Sequence, residues 1–119
     1  MMVSPYLKHQ LRQVELRDQA LAQRRRMLDD AARRMAAALE QRFQPQRIIL
    51  FGSLATGDIS RGSDVDLAIE GLAPEDYWSA WVLADQTGRV PFDLIRLETA
   101  SPSLRSWILS TGVVLFDRQ

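Results

Sequence analysis

Between Pro5 and Arg42 the chain contains no glycine and no second proline, and most of the residues there are strong helix formers. One long helix is the expected outcome. Its apolar residues follow a definite pattern: Leu7, Val14, Leu21, Leu28 and Met35 recur every seventh position. Leu11, Ala32 and Leu39 fall on the complementary four-step position, where Asp18 and Arg25 interrupt the row. The result is a seam along one face. At 1.5 Å per residue the helix reaches about 55 Å, more than a domain built from the remaining residues can cover. The seam from Leu28 to Leu39 is therefore expected to pack on the body of the protein. Leu7, Leu11, Val14 and Leu21 are expected to project and to meet another chain, since an apolar row seldom stays in water. The partner is either a second copy of the helix, running antiparallel, or a different protein.

The rest of the chain alternates between extended and helical signals. After Gln44-Pro45 the run "RIILFGS" reads as a buried strand ending in a tight turn, and "SDVDLAIEG" as a second strand reached through a connection containing Gly57 and Gly62. Pro74 opens a helix through about Gln86 with an aromatic face of Tyr77, Trp78 and Trp81, and Gly88 is expected to stop it. "RVPFDLIRLE" is a third strand, Ser101-Pro102 caps a short helix through Ser110, Gly112 ends that helix, and "VVLFD" is a final strand. The predicted class is α/β (α+β), a small mixed sheet of about four strands covered by helices. The predicted organisation is a long amphipathic helix over residues 1–42 and a compact domain over 43–119.

Composition narrows the chemistry. There is no cysteine and one histidine, His9, so neither a disulfide nor a thiolate or imidazole cluster is available, and any metal must be held by oxygen. Residues 1–42 carry nine Lys/Arg against five Asp/Glu, and 43–119 carry six against ten. An acidic body argues against direct nucleic-acid binding and suits carboxylates that take up divalent cations. The run Arg24-Arg25-Arg26 points to different helix faces and reads as solvated. No apolar run approaches the roughly 20 residues needed to span a bilayer, and the N-terminus is too charged for a secretory signal, so no membrane contact and a cytoplasmic location are expected.

Asp64 and Asp66 lie two apart, and a strand there points both carboxylates to one face. Like charges held so close call for a shared proton or a cation, and Mg²⁺ suits an all-oxygen set. Asp93 interrupts the third strand's apolar run between Phe92 and Leu94 in the same manner. Gly52 permits close backbone approach, and Ser53, at the start of a helical turn, offers an amide and a hydroxyl to an anion. Phosphate beside Mg²⁺ is the inference.

This combination of Gly52, Ser53, Gly57, Asp64, Asp66 and Asp93 resembles the nucleotidyltransferase superfamily with a DNA-polymerase-β-like palm. The close spacing in "FGSLATGDISRGSDVDL" looks like the minimal nucleotidyltransferases, antitoxin partners of HEPN ribonuclease toxins. The resemblance covers about residues 43–117. It implies that Gly52 and Ser53 bind the phosphates of ATP and that Asp64, Asp66 and Asp93 ligate Mg²⁺, with Asp93 also helping to activate the acceptor. It implies transfer of AMP to a tyrosine hydroxyl of the toxin, or else neutralisation of the toxin by binding alone.

Overall fold

The computed structural model describes residues 4–59, 62 and 64–119. Helix α1 spans Pro5–Phe43. The Ser4 side chain accepts a hydrogen bond from the Leu7 amide at 3.1 Å, Pro5 occupies the first turn, and Gln44 closes the helix in the left-handed region with its N–H on the Glu40 carbonyl. Of this helix, Leu28, Ala31, Ala32, Met35, Ala36 and Leu39 are buried, while every residue from Ser4 to Ala20 is exposed. The seam therefore divides as its length requires. Leu7, Leu11 and Val14 are each about half exposed, at 47%, 51% and 50%. The projecting turns stretch the molecule to 64 Å and raise its radius of gyration to 17.9 Å. A compact chain of this length comes to about 13–14 Å.

The remaining elements are β1 (Arg47–Phe51), α2 (Ser53–Thr56), β2 (Val65–Glu70), α3 (Tyr77–Gly88), β3 (Phe92–Arg96), α4 (Pro102–Thr111) and β4 (Val113–Asp117). Single 3₁₀ turns, Pro74–Asp76 and Leu97–Thr99, lead into α3 and follow β3. The sheet order is β3-β2-β1-β4. Strand β1 is antiparallel to both β2 and β4, and β2 is parallel to β3, with α3 as the crossover. This is the expected mixed four-stranded sheet.

Alternation sorts the strand residues between two cores. Ile48, Leu50, Val65, Leu67 and Ile69 join Leu28, Met35 and Leu39 of α1 and Ala80 and Ala84 of α3 in one cluster. Ile49, Phe51 and Ala68 join Leu97 and Ile108 in another, on the face that carries α4.

Several boundaries differ from expectation for identifiable reasons. Gly88 does not stop α3 but is its last residue, and Arg89 takes the left-handed cap at φ +53°. A Cβ on Gly88 would stand 2.4 Å from Met35 Sδ, so the glycine serves the close approach of α1 to α3. Strand β2 begins at Val65, which leaves Asp64 just before it, and Ser63, the expected first residue, lies outside the described residues, as do residues 1–3 of the expected N-terminal segment. On α3, Trp81 and Tyr77 pack on the core whereas Trp78 is exposed.

Candidate active site

Phe51 pairs with Asp66 across β1 and β2, and Asp66 pairs with Asp93 across β2 and β3. The C-terminal end of β1 and the starts of β2 and β3 therefore share one edge of the sheet. Asp66 has the parity of Ala68, so its carboxylate leaves the sheet on the α4 side. Asp64 comes from the residue before β2 and is partly buried, while Asp93 is exposed. Burial first, and then the negative charges of Asp93 and Asp64, push the Asp66 carboxyl up from its ordinary value of 3.8 to about 6. The three aspartates named from the sequence thus converge electrostatically. The trio is loose, however: among the described residues no three Asp, Glu, His or Cys side chains stand closely enough to grip an ion as they are.

Gly52 and Ser53 join this group through β1. Gly52 sits at φ +78° and ψ −158°, a region that only glycine occupies readily, and a Cβ there would lie 2.3 Å from Asp66 Oδ2. The Asp66 carboxylate therefore rests directly over the Gly52 backbone. Ser53 opens α2, a single turn in which the Ala55 and Thr56 amides bond the Gly52 carbonyl and the Gly57 amide bonds that of Ser53. Gly52→Ala is expected to meet both the backbone strain and the clash, costing about 2–3 kcal/mol and lowering the melting temperature by roughly 10 °C. Gly62→Ala, with nothing within 4 Å of its Cβ position, is the control and should melt within about 0.5 kcal/mol of the parent. Equal melting of the two variants would refute the close approach at Gly52.

Tyr77 borders the site in a way its place in an aromatic face does not announce. Its hydroxyl donates to the Leu94 carbonyl, next to Asp93, and burial together with the Asp93 charge raises its pKa. It therefore keeps its proton at neutral pH and pins β3 beside the carboxylates. A period-two reading of β3 places Asp93 but contains no sign of a tyrosine from a crossover helix.

The donor set is all oxygen, the kind a hard cation such as Mg²⁺ takes, and beside the burial that chiefly raises Asp66 the charges of Asp93 and Asp64 add a negative potential that a cation would relieve. Among the described residues, no helix is long and apolar enough to cross a membrane.

No curated protein matches the sequence. A chain of a solved structure described as a toxin-antitoxin with AMP-PNP is 26% identical, with a TM-score of 0.63 over 74% of this chain and 74% of that one. A chain of the toxin-antitoxin MntA-HepT, 22% identical with a TM-score of 0.58 over 76% of this chain and 74% of that one, shares the fold. A family model described as polymerase beta, nucleotidyltransferase matches residues 34–119, a span that takes in the last turns of α1, the whole sheet and the Gly52-Ser53 turn with its three aspartates. By that match the chain belongs to the polymerase beta nucleotidyltransferase family.

Proposed function

We propose that the protein is an antitoxin that transfers AMP from Mg²⁺·ATP to a tyrosine hydroxyl of a HEPN-type ribonuclease toxin. The observation that carries this reading is the convergence of Asp64, Asp66 and Asp93 at the edge where Gly52 and Ser53 turn. The similarity to a toxin-antitoxin structure with AMP-PNP supports both the nucleotide and the protein partner. Asp64, Asp66 and Asp93 are assigned to hold Mg²⁺, and Gly52 and Ser53 to hold the phosphates. Bound there, the cation neutralises charge that builds on the phosphate oxygens. The acceptor oxygen attacks the α-phosphorus, an O–P bond forms, the bond to the β-phosphate bridging oxygen breaks, and pyrophosphate leaves. Asp93, the most exposed of the three, is assigned to receive the hydroxyl proton.

One observation favours a second reading, neutralisation by binding alone: the half-exposed row Leu7, Leu11 and Val14 offers a docking face that needs no chemistry. Co-expression with the cognate toxin separates the two. Under the enzymatic reading, intact mass spectrometry of the toxin shows an added AMP, mapped to a tyrosine, and Asp93→Asn abolishes it while the complex still forms. A toxin that is fully inhibited yet unmodified assigns the protein to the binding class instead.

A further inference from the structure

Arg25 occupies the seam row of α1 that includes Ala32 and Leu39, both fully buried, but it lies before the packed stretch and is itself exposed. Its guanidinium reaches α2, with Nη1 3.8 Å from the position a Cβ on Gly57 would take. Among the described residues no carboxylate answers it. Asp29, one turn along, is held by Arg33 at 2.9 Å, and Asp58, the neighbour of Gly57, forms no ion pair with any described residue. Nor does Arg25 cap α2: the Ser53 carbonyl accepts from the Gly57 amide, and Arg25 donates no hydrogen bond to a described residue. An exposed arginine that reaches a glycine turn, with no carboxylate on it among the described residues, is placed for an anion that arrives from outside.

That anion is close at hand. Helix α2 is one turn, about 6 Å long, with Ser53 at one end and Gly57 at the other. A triphosphate whose α-phosphate lies by Ser53 and Asp66 has the length to carry its terminal phosphates along α2 toward Gly57. We propose that Arg25 of the long helix binds the β- and γ-phosphates of the nucleotide, an inference that rests on the nucleotide reading above. The long helix then supplies part of the nucleotide site, and the charge breaking its apolar seam has a use. Of the three adjacent arginines Arg24 is partly buried, whereas Arg25, on the seam row, is exposed and free to meet a ligand.

Calorimetric titration with Mg²⁺·ATP and, separately, with AMP tests this on the full chain. Arg25→Gln is expected to weaken ATP binding about tenfold or more and to leave AMP binding within twofold, because AMP has no terminal phosphates. Arg25→Lys, which keeps the charge without the fork, should fall between the parent and Arg25→Gln. Arg25→Gln binding ATP as tightly as the parent overturns the inference, and so does equal weakening of ATP and AMP, which marks a structural role. A parent protein that binds neither nucleotide overturns the nucleotide reading and this inference with it, whereas tight ATP binding indifferent to Arg25 overturns the inference alone.

Discussion

Asp66→Asn is expected to make the protein more stable at neutral pH while reducing AMP transfer about a thousandfold or more. The stability gain follows from linkage. The folded-state pKa of Asp66 is raised to about 6 against 3.8 unfolded, so the folded protein holds the proton more tightly. Below pH 3.8 the carboxyl is protonated in both states and costs nothing. Between pH 3.8 and 6 stability falls as pH rises, and above 6 the full penalty is in place. Because the side chain is only about half buried, solvent screens it, and the penalty is about 1 kcal/mol rather than what the whole shift implies. Asparagine, like the protonated acid, escapes it. Melting curves of parent and variant should coincide near pH 3.5 and separate by about 4–6 °C at pH 7. The loss of transfer follows from removing the central carboxylate from the set assigned to Mg²⁺. A variant that melts lower than the parent at pH 7 would show that the Asp66 carboxylate is structural.

Removing residues 1–21 is expected to cost the protein the proposed partner and little else. The first fully buried side chain of α1 is Leu28, so the truncation leaves both cores intact and retains Arg25. It deletes Leu7, Leu11, Val14 and Leu21 together. Burying a leucine contributes roughly 1.5–3 kcal/mol, and even after the cost of association several of them account for a hundredfold or more in affinity. The truncated chain should bind Mg²⁺·ATP as the full chain does but fail to co-purify with the proposed toxin partner. Light scattering detects the alternative, in which the partner is a second copy and truncation converts an oligomer to a monomer. Unchanged mass together with unchanged toxin affinity would remove the helix from both roles.

The features legible in the sequence are those written in local chemistry. Ser4-Pro5 and Ser101-Pro102 state where helices begin, and the runs from Arg47 to Phe51 and Val113 to Asp117 have the β-branched and aromatic content of strands. The two families of glycine are harder to separate. Gly112 ends α4 as expected but also stands where a Cβ would meet Ile49, and Gly88 serves the approach of a methionine on another helix, which only the packing of α1 on α3 reveals. The aspartates were readable as carboxylates sharing a strand face. What they meet was not, because the contact of Asp66 with Gly52 depends on the register that sets Phe51 opposite Asp66. Tyr77 and Arg25 reach the site from helices α3 and α1, and no spacing within a strand signals a side chain that arrives from a different layer.

Helix α1 runs without a break from the exposed turns into the core, and this makes it a shaft as well as an anchor. Each residue of an α-helix turns the next by about 100°. The direction in which Leu7, Leu11 and Val14 face is therefore locked to the packing of Leu28 and Met35, far along the same axis, with no hinge to absorb an error. Adding one residue between Leu21 and Arg25 swings the apolar row about a quarter of the way round and leaves the sheet untouched. Adding seven nearly restores its heading but lifts it by about 10 Å. Whatever docks on the exposed turns is thus presented to the edge of the sheet at one angle and one height, as a key is by the length and cut of its blade.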